Sequence, residues 1–178
     1  MTAVRFAAGV TMIAALSISP APVGAQAGDA TLASVKTTYD VVKGYITKSA
    51  AQVPQDKLTY QPTKEVRTMG QLFGHIANSS GLICATAAGM KPPAAGDAEK
   101  LTTKADLEKA VAAGFAVCDQ AFKAITTANA NEPVELFGMK HTRIGALGFN
   151  AAHLFEHYGN LVTYMRINGM VPPSSAGK

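Results

Sequence analysis

The 178-residue sequence has no tryptophan, few aromatic side chains (7%), only two cysteines and only 16% charged residues. Each scarcity excludes something. Basic residues never cluster and are not interleaved with aromatics, so there is no phosphate-tracking groove or base-stacking platform and no nucleic-acid partner is expected. No Cys-x-x-Cys-His attachment signal is present, which removes a covalently held haem. The apolar run near the start is too short to anchor the chain across a bilayer, and no other stretch is long and apolar enough. Alternating apolar and polar runs are missing too, so no strand pattern competes with helix. Few aromatics and many alanines favour helices packed closely together.

The N-terminal residues read as an address label. Arg5 supplies a positive start, Phe6 to Ile18 is apolar, Ser19-Pro20-Ala21-Pro22 breaks the run, and Ala25-Gln26-Ala27 is a small-x-small cleavage site. Residues 1–27 are therefore expected to be a secretory signal peptide and 28–178 one mature domain, periplasmic or secreted from a bacterium. No cysteine follows the cleavage site, so no lipid anchor and no membrane anchor after cleavage are expected. The formal net charge is +4, with one of the cations, Arg5, in the leader and the rest scattered. A mature chain of this size suits a single core.

Hydrophobic spacing defines four helices. Leu32, Val35, Tyr39, Val42, Ile46, Ala50 and Val53 form the stripe of the first, over about 30–53, ended by Pro54. The second, about 68–89, carries Met69, Leu72, Phe73, Ile76, Ile83 and Ala87, with Thr68 as its cap and Pro92-Pro93 beyond it. The third runs about 104–128 after the cap Thr103, with Asp106 placed as in a capping box. Residues 129–141 read as a loop, and the last helix spans about 142–168 before Gly169 and Pro172-Pro173. The expected fold is all-α, an antiparallel four-helix bundle.

Two of the four histidines, His153 and His157, lie one turn apart in the last helix among Leu154, Tyr158, Leu161 and Met165. At about 100° per residue their rings share a face, the spacing at which two imidazoles take one cation. Neutral imidazoles in an apolar setting need partners for their ring nitrogens. His75 sits mid-way along the second helix in an equally apolar setting, beside Gly74, which would let a neighbouring helix approach. If the second and fourth helices face each other, three nitrogens converge and leave an open coordination position.

Cys84 and Cys118 both belong to the mature part. In an oxidising compartment they can close a disulfide worth about 3–4 kcal/mol that staples the second helix to the third; otherwise they are two buried thiols that never meet. Glu156 projects to one side of His153 and is a candidate acceptor for a ligand N–H or a general base, equally readable as a solvated carboxylate. Asn78 and Asn150 fit either a pocket or polar packing. Tyr60 reads as core packing, His141 as exposed, and Arg143 as a cap or surface cation. No acid–base arrangement can be built around Ser79, Ser80 or Cys84.

The stretches Leu72-Phe73-Gly74-His75-Ile76-Ala77 and His153-Leu154-Phe155-Glu156-His157-Tyr158-Gly159-Asn160-Leu161 resemble the L-x-x-H-I-A and H-x-x-x-H-x-G-Q-L/I helices of the DinB-like family. This is the metalloenzyme superfamily related to bacterial thiol-dependent S-transferases, and the resemblance covers about 30–175. It implies a four-helix bundle, often a homodimer, in which His75, His153 and His157 hold a divalent metal, zinc or nickel first, iron or manganese next. Two departures stand out: Asn160 replaces the family's Gln, and an exported chain lacks the cytoplasmic thiols its relatives use. The function expected is that of an exported metal-dependent hydrolase or transferase acting on a small-molecule substrate. The alternative is a non-catalytic, metal- or ligand-binding, stress-linked dimeric bundle.

Overall fold

In a computed structural model, residues 23–93 and 96–177 are described, with the side chains from residue 30 onward. The expected leader lies outside the described residues except for the backbone of 23–27, which is helical. Four helices follow in order: α1 (Val23–Gln52), α2 (Met69–Ala88), α3 (Lys104–Ala124) and α4 (Arg143–Ile167). Among the described residues no helix is long and apolar enough to cross a membrane.

The caps explain the boundaries. Thr68 and Gln71 form a reciprocal capping box at the start of α2, and Gly89, at φ 67°, ends it in the left-handed region. Thr103 accepts from the Asp106 amide at the start of α3. That helix stops four residues before the expected end because Asn129 folds back: its Oδ1 accepts from the Thr126 amide and its Nδ2 donates to the Ala124 carbonyl. Ile125 still reaches the core, at 2% exposure.

The all-α bundle expected from the sequence is the observed fold, and the contacts settle its helix directions. Arg67, just before α2, offers its carbonyl to Tyr164 near the end of α4, so α2 and α4 are antiparallel. Tyr39 packs on Phe122, and Lys104 bonds the Ala51 and Val53 carbonyls, so α1 and α3 are antiparallel. In contrast, Gly70 lies against Leu107 and Cys84 bonds Cys118, which makes α2 and α3 parallel. Tyr45 stacks on Tyr158, and Gln52 reaches Val171, which makes α1 and α4 parallel. The order is up, down, down, up.

Parallel neighbours require a return journey. The connection from Gly89 to Thr103 must travel back along α2, about 30 Å of helix, before α3 can start. On the way it forms a 3-10 turn, Ala98–Lys100, seated on the middle of α2. Asn78 latches it there, donating to Asp97 and accepting from the Ala98 amide.

The segment expected to be a loop before α4 contains a two-stranded antiparallel hairpin instead, β1 (Pro133–Leu136) and β2 (Met139–Thr142), with Leu136 opposite Met139. Its two-residue turn, Phe137-Gly138, has both φ values positive, 52° and 73°, as a type I′ turn demands. Phenylalanine in place of the usual Asn or Asp concealed the turn, and four-residue strands are too short for alternation to show. The bundle core is contiguous, with Tyr39, Ile46, Ile76, Ile83, Leu154 and Leu161 all at 0% exposure.

Candidate metal centre

α4 presents His153 and His157 one turn apart toward α2, and α2 presents His75 toward them. The Nε2 atoms of His153 and His157 are 2.9 Å apart, and those of His153 and His75 are 3.3 Å apart. All three ligating atoms lie within 4.8 Å of one another, close enough to hold one metal ion. Two nitrogens each about 2.0–2.1 Å from zinc at tetrahedral angles stand about 3.3 Å apart, and about 2.9 Å at right angles. Both observed separations fall on these values. The rings meet edge to face, with centroids 4.4 Å apart for His153 and His157 and 4.6 Å apart for His75 and His157.

Burial tunes these rings toward binding a cation. The His157 ring is pushed down to about 4 by loss of solvent and then by the neighbouring His153 and His75. His153 is lowered for the same reasons, burial first and His75 second. Both are neutral at pH 7, so each keeps a lone pair for a cation. Two such imidazoles with Nε2 atoms in contact can satisfy each other only through one shared proton or one shared ion. The Nδ1 atoms of His153 and His157 are buried and have no hydrogen-bond partner among the described residues.

His75 differs. Its Nδ1 lies 2.9 Å from Glu99 Oε1, and Glu99 is gripped from the other side by Arg67, Nε to Oε2 at 2.9 Å and Nη2 to Oε1 at 3.4 Å. Burial opposes ionisation of Glu99, but Arg67 and His75 outweigh it and hold its carboxyl below the usual range. Glu99 sits on the crossover, in a stretch that reads as featureless connection. No local signal marks it, and only the parallel α2–α3 arrangement would have pointed there.

The other candidates fall into place around this centre. Glu156 is exposed, and its carboxylate bonds none of the three imidazoles; it lines, with His157, Arg67, Asn160 and Tyr164, a cleft of about 630 Å³ beside the centre. Gly74 is approached by the crossover rather than by a helix, since a Cβ there would meet the Ala98 carbonyl oxygen at 2.3 Å. Asn78 latches that crossover, and Asn150 is buried beside Cys118. Arg143 pairs with Glu132 at 2.8 Å and braces the hairpin. His141, expected to be exposed, is half-buried with its Nε2 covered, packed against Phe149, which stacks in turn on His153. Tyr60 packs edge-on against Tyr164. The Cys84–Cys118 disulfide is formed, so neither cysteine is free.

The depressed histidines have a consequence for the metal-free protein. Between about pH 6.5 and 4 an unfolded chain binds protons that folded His157 refuses, so stability is full above pH 6.5 and is lost as pH falls through that window. The loss from His157 is on the order of 3 kcal/mol. Denaturant unfolding of chelator-stripped protein across that range measures it; a flat profile would contradict the burial of these rings.

No curated protein matches this sequence. Solved structures share the fold, among them two DinB-like proteins. A DinB-like protein from Bacillus cereus ATCC 10987 superposes with a TM-score of 0.69 at 15% identity, covering 78% of this chain and 93% of its own. A DinB-like protein from Bacillus subtilis superposes with a TM-score of 0.61 at 18% identity, covering 82% of this chain and 99% of its own. At such identities the likeness is one of fold. The sequence profile of the DinB superfamily matches residues 39–161, a span that contains all three clustered histidines, and the chain belongs to that superfamily.

Proposed function

We propose that His75, His153 and His157 bind one divalent cation and that the adjoining cleft brings a small polar substrate to it, for hydrolysis or group transfer. The observation that carries this reading is the convergence of three Nε2 atoms from two helices at metal-ligand spacing, with two of the rings held neutral by burial. Three imidazoles suit zinc or nickel, then iron, and also admit manganese. When bound, such a cation supplies Lewis acidity, which acidifies water and polarises a substrate's electronegative atom.

The chain's own residues do the rest. The helical turn between His153 and His157 sets the bite, the bundle keeps bulk water from His157, and the cleft leaves one side open. Glu156 at the cleft wall is the residue placed to exchange a proton with a substrate entering there. Export past the inner membrane under the leader, and assembly as a homodimer, belong to the same proposal.

A second reading rests on a specific observation: among the described residues no carboxylate hydrogen-bonds to His153 or His157, and the one that reaches the centre, Glu99, is engaged by His75 and Arg67, so no free base is built against it. On that reading the bundle binds metal without turnover. Elemental analysis of the purified mature protein beside His75→Ala tests the first step, with about one metal per chain expected in the wild type and little in the variant. Equal metal in both removes the three-histidine centre. Azide displacing a labile ligand from the bound metal, together with turnover lost in Glu156→Gln, favours the enzyme; inert metal and no turnover favour the binding module.

A further inference from the structure

We propose that Glu99 is a positioning residue for His75: carried onto α2 by the crossover and held by Arg67, its carboxylate fixes the ring so that Nε2 faces the shared cation. The inference rests on the metal-binding reading and deepens it by naming what makes the third ligand competent.

The three ligands do not need the same help. His153 and His157 share one helix, so a single backbone sets their mutual geometry. His75 comes from a different helix and has to be aimed independently. An ionised carboxylate can only accept hydrogen bonds, so the contact at 2.9 Å places the proton on His75 Nδ1 and leaves the lone pair on Nε2. That is the nitrogen 3.3 Å from His153 Nε2.

Glu99 is itself held from several sides. Arg67 grips both carboxylate oxygens, Asp97 caps the Glu99 amide, and Asn78 clamps the turn at the Asp97 carboxylate and the Ala98 amide. Gly74, immediately before His75, admits the crossover at this level of α2. A Cβ there would stand 2.3 Å from the Ala98 oxygen, 2.5 Å from the Ala98 carbonyl carbon and 2.6 Å from the Glu99 nitrogen. Those are backbone atoms that no rotamer change can move aside. The absent side chain, the latched turn and the ion pair converge on one carboxylate at one ring. A surface ion pair made only for stability would not require the backbone to be let in so closely.

The test uses the full mature chain stripped with chelator, in wild type, E99A, E99Q and G74A forms. Zinc ion alone is titrated against a chromophoric competitor, and the His75 tautomer is read in the metal-free proteins by long-range proton–nitrogen NMR at mildly alkaline pH. Wild type is expected to hold the Nδ1–H tautomer, and E99A to show a mixture with zinc affinity weakened about 10- to 100-fold. E99Q keeps an acceptor oxygen without the charge and should fall between them. G74A retains every side chain of the cluster yet displaces the crossover, and should resemble E99A; circular dichroism of the metal-free variants separates unfolding from loss of ligand. An E99A protein with an unchanged tautomer, or with affinity within twofold of wild type, overturns the inference alone. A wild type that takes up no zinc overturns the metal-binding reading as well.

Discussion

His153→Ala is expected to cost on the order of a hundred- to a thousandfold in metal affinity while leaving the metal-free fold about as stable as before. His153 is the central ligand: its Nε2 stands 2.9 Å from that of His157 and 3.3 Å from that of His75. Binding at closed four-ligand zinc sites is worth about 10–16 kcal/mol, so one lost imidazole removes roughly a quarter of that order. In the metal-free fold two effects oppose each other. Removing the ring relieves its unpartnered Nδ1 but also takes the Nε2 contacts from His157 and His75 and the stacking partner from Phe149, so gain and loss offset to within about 1–2 kcal/mol.

Thermal scans with and without zinc separate the two effects. Metal that binds only the folded wild type stabilises it by about 2.7 kcal/mol at a hundredfold excess over Kd, and His153→Ala should gain almost nothing under the same conditions. Leu154→Ala, one residue along and fully buried, should show the opposite signature. It loses about 2–5 kcal/mol with or without metal. A His153→Ala protein that gains the same zinc shift as wild type would place the cation elsewhere.

How far the sequence reveals this arrangement depends on the range of the interactions involved. The helices and two of their caps are local: Thr68 and Thr103 lie within one turn of the amides they accept from, and a periodicity of about 3.6 exposes every buried stripe. His153 and His157 are legible for the same reason, being a single turn apart. His75 could be added because its apolar surroundings make an unpaired imidazole costly wherever it lies.

What escaped is non-local. Glu99 meets His75 only because α2 and α3 run parallel and the chain must double back between them. Helix direction leaves no trace in hydrophobic spacing. The early stop of α3 escaped too, since the Ile125 stripe position continues the helical period while Asn129 has already claimed the Thr126 amide. Glu156, by contrast, was visible in the sequence only as a neighbour of ligands. Its place at the cleft wall rather than against a ring follows from the roughly 60° that separates it from His153 in projection.

Loss of the Cys84–Cys118 bond is expected to lower stability by about 3–4 kcal/mol, through the entropy its loop of 34 residues denies to the unfolded chain. For a domain of this size that corresponds to a fall of roughly 10 °C in Tm. Both cysteines are at 0% exposure, so a thiol reductant should act slowly on the native protein and faster as denaturant opens it. Reduced wild type should be somewhat more stable than the double variant Cys84→Ala/Cys118→Ala. The Cys118 thiol can donate to the Ser80 carbonyl 3.4 Å away, whereas alanine strips the fully buried Asn150 amide of its sulfur neighbour at 3.6 Å. The closed loop also contains the whole crossover with Glu99, yet the bond acts chiefly on the unfolded ensemble, while Asn78 and Arg67 hold the crossover in the folded one. Reduced but folded protein should therefore bind zinc within a fewfold of the oxidised form, even as its midpoint in denaturant drops. A parallel collapse of affinity and stability would mean that the disulfide, not the latch at Asn78, keeps Glu99 on its histidine.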